Sequence, residues 1–201
     1  MAFTYFFRDM QTLEAIRDYA LPALKSRRYI NIWDAGCAMG QEPYSLAMVL
    51  RENMVRMIFR NVKIYATDID GSNLFGKIIR DGKYPGEQVR RIPKEIFAKY
   101  FSPNGKPDHF IIADEIRKSV EYQKHDLLTL RPVRNNFGLI VCKNVLLHFK
   151  EAERINVINM FHEALSEGGF LAVEQTQKIP EKMKDLFEPV AANVQLFRKK
   201  G

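Results

Sequence analysis

Apolar positions in this chain recur at two spacings, and the alternation between them predicts the elements. Leu13, Ile16, Tyr19, Ala20 and Leu24 fall near helical spacing, so an amphipathic helix is expected up to about Ser26. Pro22 is expected to kink it or to end its first part. Ile30, Ile32 and Trp33 read as a buried strand, followed by a glycine turn over residues 34–40 and a helix over 43–50. A second strand is expected over 62–67 and a helix over 72–80, stopping at Asp81-Gly82. The apolar run 137–142 suits a central parallel strand. A helix over 151–166, a strand over 170–173, a helix over 180–187 and a hairpin over 190–199 complete the pattern.

Between residues 83 and 123 the simple alternation of strand and helix breaks down. Pro85-Gly86 and Pro93 punctuate two short helices ending near Phe101, and residues 102–107 form a turn cluster. Short strands are expected over 109–113 and 119–123, with a small β-rich insertion placed at about 102–118, before the third strand of the sheet. Strands alternating with helices and closing in a hairpin predict an α/β fold. The sheet is expected to be mixed and mostly parallel, with an antiparallel C-terminal hairpin.

Composition narrows this only a little. The 201 residues are 46% hydrophobic and 27% charged, so one globular domain over 1–201 is expected rather than a disordered chain. No apolar run is long enough to cross a bilayer, and the N-terminus lacks the apolar core of a signal peptide, so a cytoplasmic location is expected. Cys37 and Cys142 have no metal-ligand spacing and are expected as buried free thiols. A net charge of +7 permits anionic partners without choosing among them. The basic–aromatic interleaving of single-strand nucleic-acid binding is missing, which argues against that partner.

Candidate chemistry gathers at the carboxyl ends of the predicted strands, where open α/β sheets bind ligands. Gly36 and Gly40 would let the chain approach a ligand closely. A sulfonium cofactor with an amino-acid tail, a ribose and an adenine needs three kinds of partner. Glu42 could meet the ammonium, Asp68 the ribose hydroxyls, and Asp126-Leu127 the adenine. Each acid also has a plain structural use: Glu42 as a first-turn helix residue, Asp68 or Asp70 as a helix cap.

The blocks AGCAMGQEPYSLA, ATDID, VCKNVLLHF and FTYFFRD, with the YF before the insertion, resemble the motifs of the CheR-type chemotaxis methyltransferases. They stand in family order from Thr4 to the final hairpin. The resemblance implies a Rossmann-like class I methyltransferase that uses S-adenosylmethionine, leaving S-adenosylhomocysteine. It implies glutamate side chains on the cytoplasmic domains of methyl-accepting chemotaxis receptors as substrate. It also implies that Thr4 and Arg8 contact the cofactor, with Arg8 near the methyl group. Cys142 and Lys143 would lie where the chain passes the cofactor.

Four departures stand out. Ala2 replaces a usual Asn, Gln41 a frequent Glu, Lys143 a usual Arg, and His148 a Tyr expected near the methyl group. His148 is therefore a second catalytic candidate beside Arg8. The family's N-terminal helical domain is expected to be absent, since the matching motifs begin at Thr4. A methyltransferase of the same fold acting on a small molecule or RNA, and an inactive cofactor-binding module, are the alternatives.

Overall fold

The computed structural model describes residues 4–176 and 179–201. Ala2, one of the four departures, lies outside the described residues.

Among the described residues, ten strands form two sheets. The main sheet contains β1 (Ile30–Ala35), β2 (Val62–Asp68), β6 (Val120–Lys124), β7 (Phe137–Cys142), β8 (Leu165–Val173), β9 (Phe187–Pro189) and β10 (Leu196–Lys199). Its order is β6-β2-β1-β7-β8-β10-β9, parallel from β6 to β8 and antiparallel through β10 and β9. The chain leaves β1 for β2 and β6 on one side, then crosses back to β7 on the other. The strand order therefore switches between β1 and β7, and a crevice opens beyond their carboxyl ends.

Both faces of this sheet are covered, so the central strands are apolar throughout. All six residues of β7 are buried. Their alternation divides the core: Leu139 and Val141 join Leu13, Ile16 and Leu24 of the N-terminal helix, while Ile140 and Cys142 join Trp33, Val157 and Phe161.

The N-terminal helix runs over residues 10–25 and widens to a π turn at Ile16–Ala20. Pro22 follows as the second residue of Leu21–Lys25. Its ring and missing N–H deny the helix a regular bond there, and the Leu21 N–H reaches back to the Ile16 carbonyl instead. The chain kinks without ending.

Three short strands, β3 (Lys83–Pro85), β4 (Phe101–Pro103) and β5 (His109–Ile112), make a separate antiparallel sheet in the order β3-β5-β4. The strand expected over 119–123 is β6, shifted by one residue to Val120–Lys124 and paired in parallel with β2 on the edge of the main sheet. An edge strand needs little apolar surface, and only Val120 of VEYQK is buried, so the pattern of a parallel strand is missing. The helix expected over 180–187 is also corrected. It is a single turn, Glu181–Met183, followed by β9. Met183 and Phe187 are both buried and four residues apart, which imitates a helix face. No helix among the described residues is long and apolar enough to cross a membrane.

Candidate cofactor and methyl-transfer site

The turn after β1 is fixed from β2. The Thr67 carbonyl accepts the N–H groups of Gly36 (2.7 Å) and Cys37 (3.0 Å), and the Asp68 carboxylate accepts the Ala38 N–H at 2.9 Å. Gly36 has a φ of +106°, and a Cβ there would lie 2.1 Å from Val145 Cγ2. Both the conformation and the space exclude a side chain. Helix Gln41–Glu52 starts immediately after this turn and carries Glu42 into the crevice.

The crevice is a cleft of about 600 Å³. Nine of the residues singled out in the sequence line it: Thr4, Arg8, Gly36, Glu42, Asp68, Asp126, Leu127, Lys143 and His148. Two do not. Cys142 is fully buried, because strand alternation turns it toward Trp33 and Phe161. Gly40, at φ +92°, faces Ile79 and Tyr84, and the Tyr84 hydroxyl donates to the adjacent Met39 carbonyl at 2.7 Å. Gly40 thus seats the insertion against the turn and gives nothing to the cleft wall.

The acids of the cleft differ in how they are held. Asp68 accepts the N–H groups of Ala38 and, at 3.1 Å, Asp70, through different oxygens. Asp126 accepts the Leu128 N–H at 2.9 Å and caps the turn Leu127–Thr129. Glu42 is half-buried on the cleft wall. Burial pushes its pKa up to about 7, opposed by the charges of Lys143 and Arg8. Beneath it, Asp34 is wholly buried and neither of its oxygens meets a donor among the described residues. Burial, with the nearby charges of Glu42 and Asp68, drives the Asp34 carboxyl well above its ordinary value. Buried Glu174 accepts the Asn144 N–H at 3.1 Å, and burial raises its carboxyl too.

Facing these acids is Lys143, buried at the end of β7, with its ammonium bonded to Asp9. Arg8 and His148 stand exposed at the mouth, His148 in the turn Leu146–His148. The result is a cleft with an acidic floor and basic residues at its rim.

Several lining residues escaped the sequence reading. His125 is the clearest. Its N–H donates to the Asp68 carbonyl at 2.8 Å, its ring lies against Trp33, and burial lowers its pKa. Its place beside Asp126 at a strand end was the available clue. Asn144, at φ +59°, and Val145 line the wall opposite Gly36. Ile69, Leu128 and Leu147 add an apolar rim.

Comparison with known proteins agrees with this geometry. The sequence profile described as "CheR methyltransferase, SAM binding domain" matches residues 2–196. A chemotaxis protein methyltransferase of Borreliella burgdorferi is 35% identical over 185 residues, 88% of this chain and 64% of that protein. A probable chemotaxis protein methyltransferase of Rhizobium etli is 29% identical, covering 99% of this chain and 76% of the relative. The chain thus spans 64% to 76% of the length of these relatives. Among solved structures, the rRNA methyltransferase aviRa from Streptomyces viridochromogenes matches 98% of this chain and 86% of its own. Its TM-score is 0.59 at 14% identity, a likeness of fold: the Rossmann-like class I methyltransferase architecture. With its motifs in order and its sheet in this topology, the chain belongs to the CheR methyltransferase family, whose S-adenosylmethionine-binding domain it matches over nearly all its length.

Proposed function

We propose that this protein transfers a methyl group from S-adenosylmethionine to glutamate side chains on the cytoplasmic domain of methyl-accepting chemotaxis receptors, and that it works in the cytoplasm. The observation that carries the reading is the convergence of Gly36, Glu42 and Asp68 in one cleft, with Arg8 and His148 at its mouth. The names of the Borreliella and Rhizobium relatives supply the substrate class.

The residues fit the cofactor. Asp68 spends one bond on each oxygen holding the turn and keeps acceptor capacity for ribose hydroxyls. Glu42, reaching the cleft from the start of its helix, suits the ammonium of the methionine tail. Glu42, when ionised, gives the floor the negative charge that a cation requires. Asp126 and Leu127 flank the adenine in this reading, and Gly36 leaves the floor open. Thr4 and Arg8 close the N-terminal side, and Lys143 completes the wall near the tail.

S-adenosylmethionine supplies an activated methyl on its sulfonium. The substrate glutamate is already ionised at neutral pH, so the chain needs no strong base. Its residues must align the carboxylate and exclude water. Arg8 offers a planar fork for that carboxylate and cannot act as a base. His148, exposed on the same cleft, is the second side chain offered to that carboxylate.

Arg80, Lys83, Arg90, Arg91 and Lys94 are all exposed. The connection between β4 and β5 is a closed turn, with the Asn104 N–H donating to the His109 carbonyl at 3.1 Å. In this reading the enzyme recognises the acidic helical bundle of the receptor directly through these cations. Mass spectrometry of a receptor cytoplasmic domain incubated with protein and cofactor tests the proposal. Methyl esters on glutamates support it, and an unmodified domain beside a cofactor-binding enzyme contradicts it.

A further inference from the structure

Asp9 follows Arg8 in the chain, and its bonds to Thr12 and Lys143 account for a feature of Glu42. One Asp9 oxygen accepts the Thr12 N–H at 3.0 Å and caps helix Met10–Ala15. The other accepts the Thr12 hydroxyl at 2.9 Å and the Lys143 ammonium. Asp9, Thr12, Glu42, Ser45 and Lys143 all border one cavity of about 20 Å³, room for a single water. Lys143 therefore has two carboxylates on this cavity, with Asp34 and Glu174 also within reach of its charge, and its hydrogen bond goes to Asp9. A buried ammonium left without that bond would be costly, and Glu42 is the other carboxylate on the cavity.

We propose that Asp9 is a positioning residue that holds the Lys143 ammonium away from Glu42, so that Glu42 stays open to the amino group of S-adenosylmethionine. This rests on the assignment of Glu42 in the proposed function. The other charged groups facing Glu42 are Arg8 on the N-terminal segment, Asp34 on β1 and Glu174 after β8. None of them competes with Asp9 for the Lys143 hydrogen bond in the structure. Burial alone would raise Asp9, but Lys143 and Thr12 outweigh it and keep the carboxyl below its ordinary value. The clamp is therefore charged at neutral pH.

The test compares wild type, Asp9→Asn and the double variant Asp9→Asn/Lys143→Met. Asparagine caps helices as well as aspartate, so the helix start is retained. Calorimetry with S-adenosylhomocysteine should show Asp9→Asn binding weaker on the order of tenfold, because Lys143 now bonds to Glu42. The double variant should recover most of that loss, since the competing ammonium is gone. In the ligand-free protein, carbon NMR of the Glu42 carboxyl should show its titration midpoint falling in Asp9→Asn and rising again in the double variant. A merely structural Asp9 would leave the double variant as weak as the single one. Wild-type affinity in Asp9→Asn, or no recovery in the double variant, overturns the clamp. If wild type fails to bind S-adenosylhomocysteine, the cofactor reading fails instead. A crystal structure of ligand-free Asp9→Asn still decides whether Asp9 holds Lys143: the ammonium moved onto Glu42 supports the clamp, and the ammonium left in place overturns it.

Discussion

Asp68 and Asp70 stand two residues apart at the end of β2 and serve different ends. Asp68 lines the cleft. Asp70 is buried and accepts the Ser72 and Tyr122 hydroxyls and the N–H groups of Leu74 and Phe75, holding the start of helix Phe75–Asp81. Asp68→Ala should weaken S-adenosylhomocysteine binding by roughly 1.5–3 kcal/mol, the value of a hydrogen bond to a charged acceptor. Asp70→Ala should instead lower folding stability by about 1–3 kcal/mol through the lost cap and bonds. Calorimetry and denaturant melts on both variants separate the two roles. Equal binding losses would remove the distinction.

Gly36 has no tolerable substitute. Gly36→Ala places a methyl 2.1 Å from Val145 Cγ2 on a backbone at φ +106°. Strain and overpacking together should cost roughly 2–4 kcal/mol of stability. Adding Val145→Ala should recover the packing part but not the conformational part. Denaturant unfolding of the wild type and the two variants checks this, and a fully stable Gly36→Ala would refute it.

These cases show what could be read from the sequence. Gly36, Glu42 and Asp68 were legible because a strand end, a turn and a helix start are local patterns, and the sheet topology then brings them together. The sequence left Asp68 and Asp70 as rival helix caps, since the choice depends on which carboxylate faces the helix. The Asp9–Lys143 pair was not legible, because it joins residues far apart in the chain. β6 was legible only as a short strand, because its polar edge-strand sequence carries no apolar run to mark it as a parallel neighbour of β2. Cys142 was read into the site by its position beside Lys143, whereas alternation along β7 sends neighbouring side chains to opposite faces.

The protonation of Glu42 predicts a pH dependence of binding. Burial raises its pKa from the ordinary 4.5 to about 7. The folded protein therefore holds a proton that the unfolded chain has released between those values. This contribution to stability is complete below pH 4.5 and lost as pH rises through about 7. Binding runs the other way, because the ligand ammonium needs an ionised Glu42. Affinity should rise as pH rises through about 7, then fall as the ligand's α-amino group loses its proton near 7.7–8.0. Glu42→Gln should flatten the acid limb of the calorimetric profile. An unchanged acid limb in that variant would assign the titration elsewhere.

Arg8 and its fork can be separated from cofactor binding by kinetics. Arg8→Lys keeps the charge and loses the planar geometry. If Arg8 holds the substrate carboxylate, turnover should fall by at least about tenfold, with a much smaller change in cofactor affinity. Steady-state kinetics beside calorimetry reads the split. Equal losses would make Arg8 a cofactor contact.

Recognition of an acidic receptor surface predicts salt sensitivity. At low substrate, the methylation rate should fall as ionic strength rises. Reversing Arg90 and Arg91 to glutamate should raise the Michaelis constant for receptor with little change in cofactor binding. Arg91 also stacks on Tyr5, 4.6 Å from the ring centroid, so Arg90→Glu alone serves as the control. Wild-type kinetics in the double variant at low salt would place the docking surface elsewhere.

The central claim is methyl transfer from this cleft to a carboxylate. It is tested most directly by incubating the protein with tritiated S-adenosylmethionine and a purified receptor cytoplasmic domain, then measuring volatile label released by base. Wild type should load base-labile methyl ester onto the receptor, and Asp68→Ala should lose most of that signal at limiting cofactor. No base-labile label from wild type, with cofactor binding intact, would contradict the account.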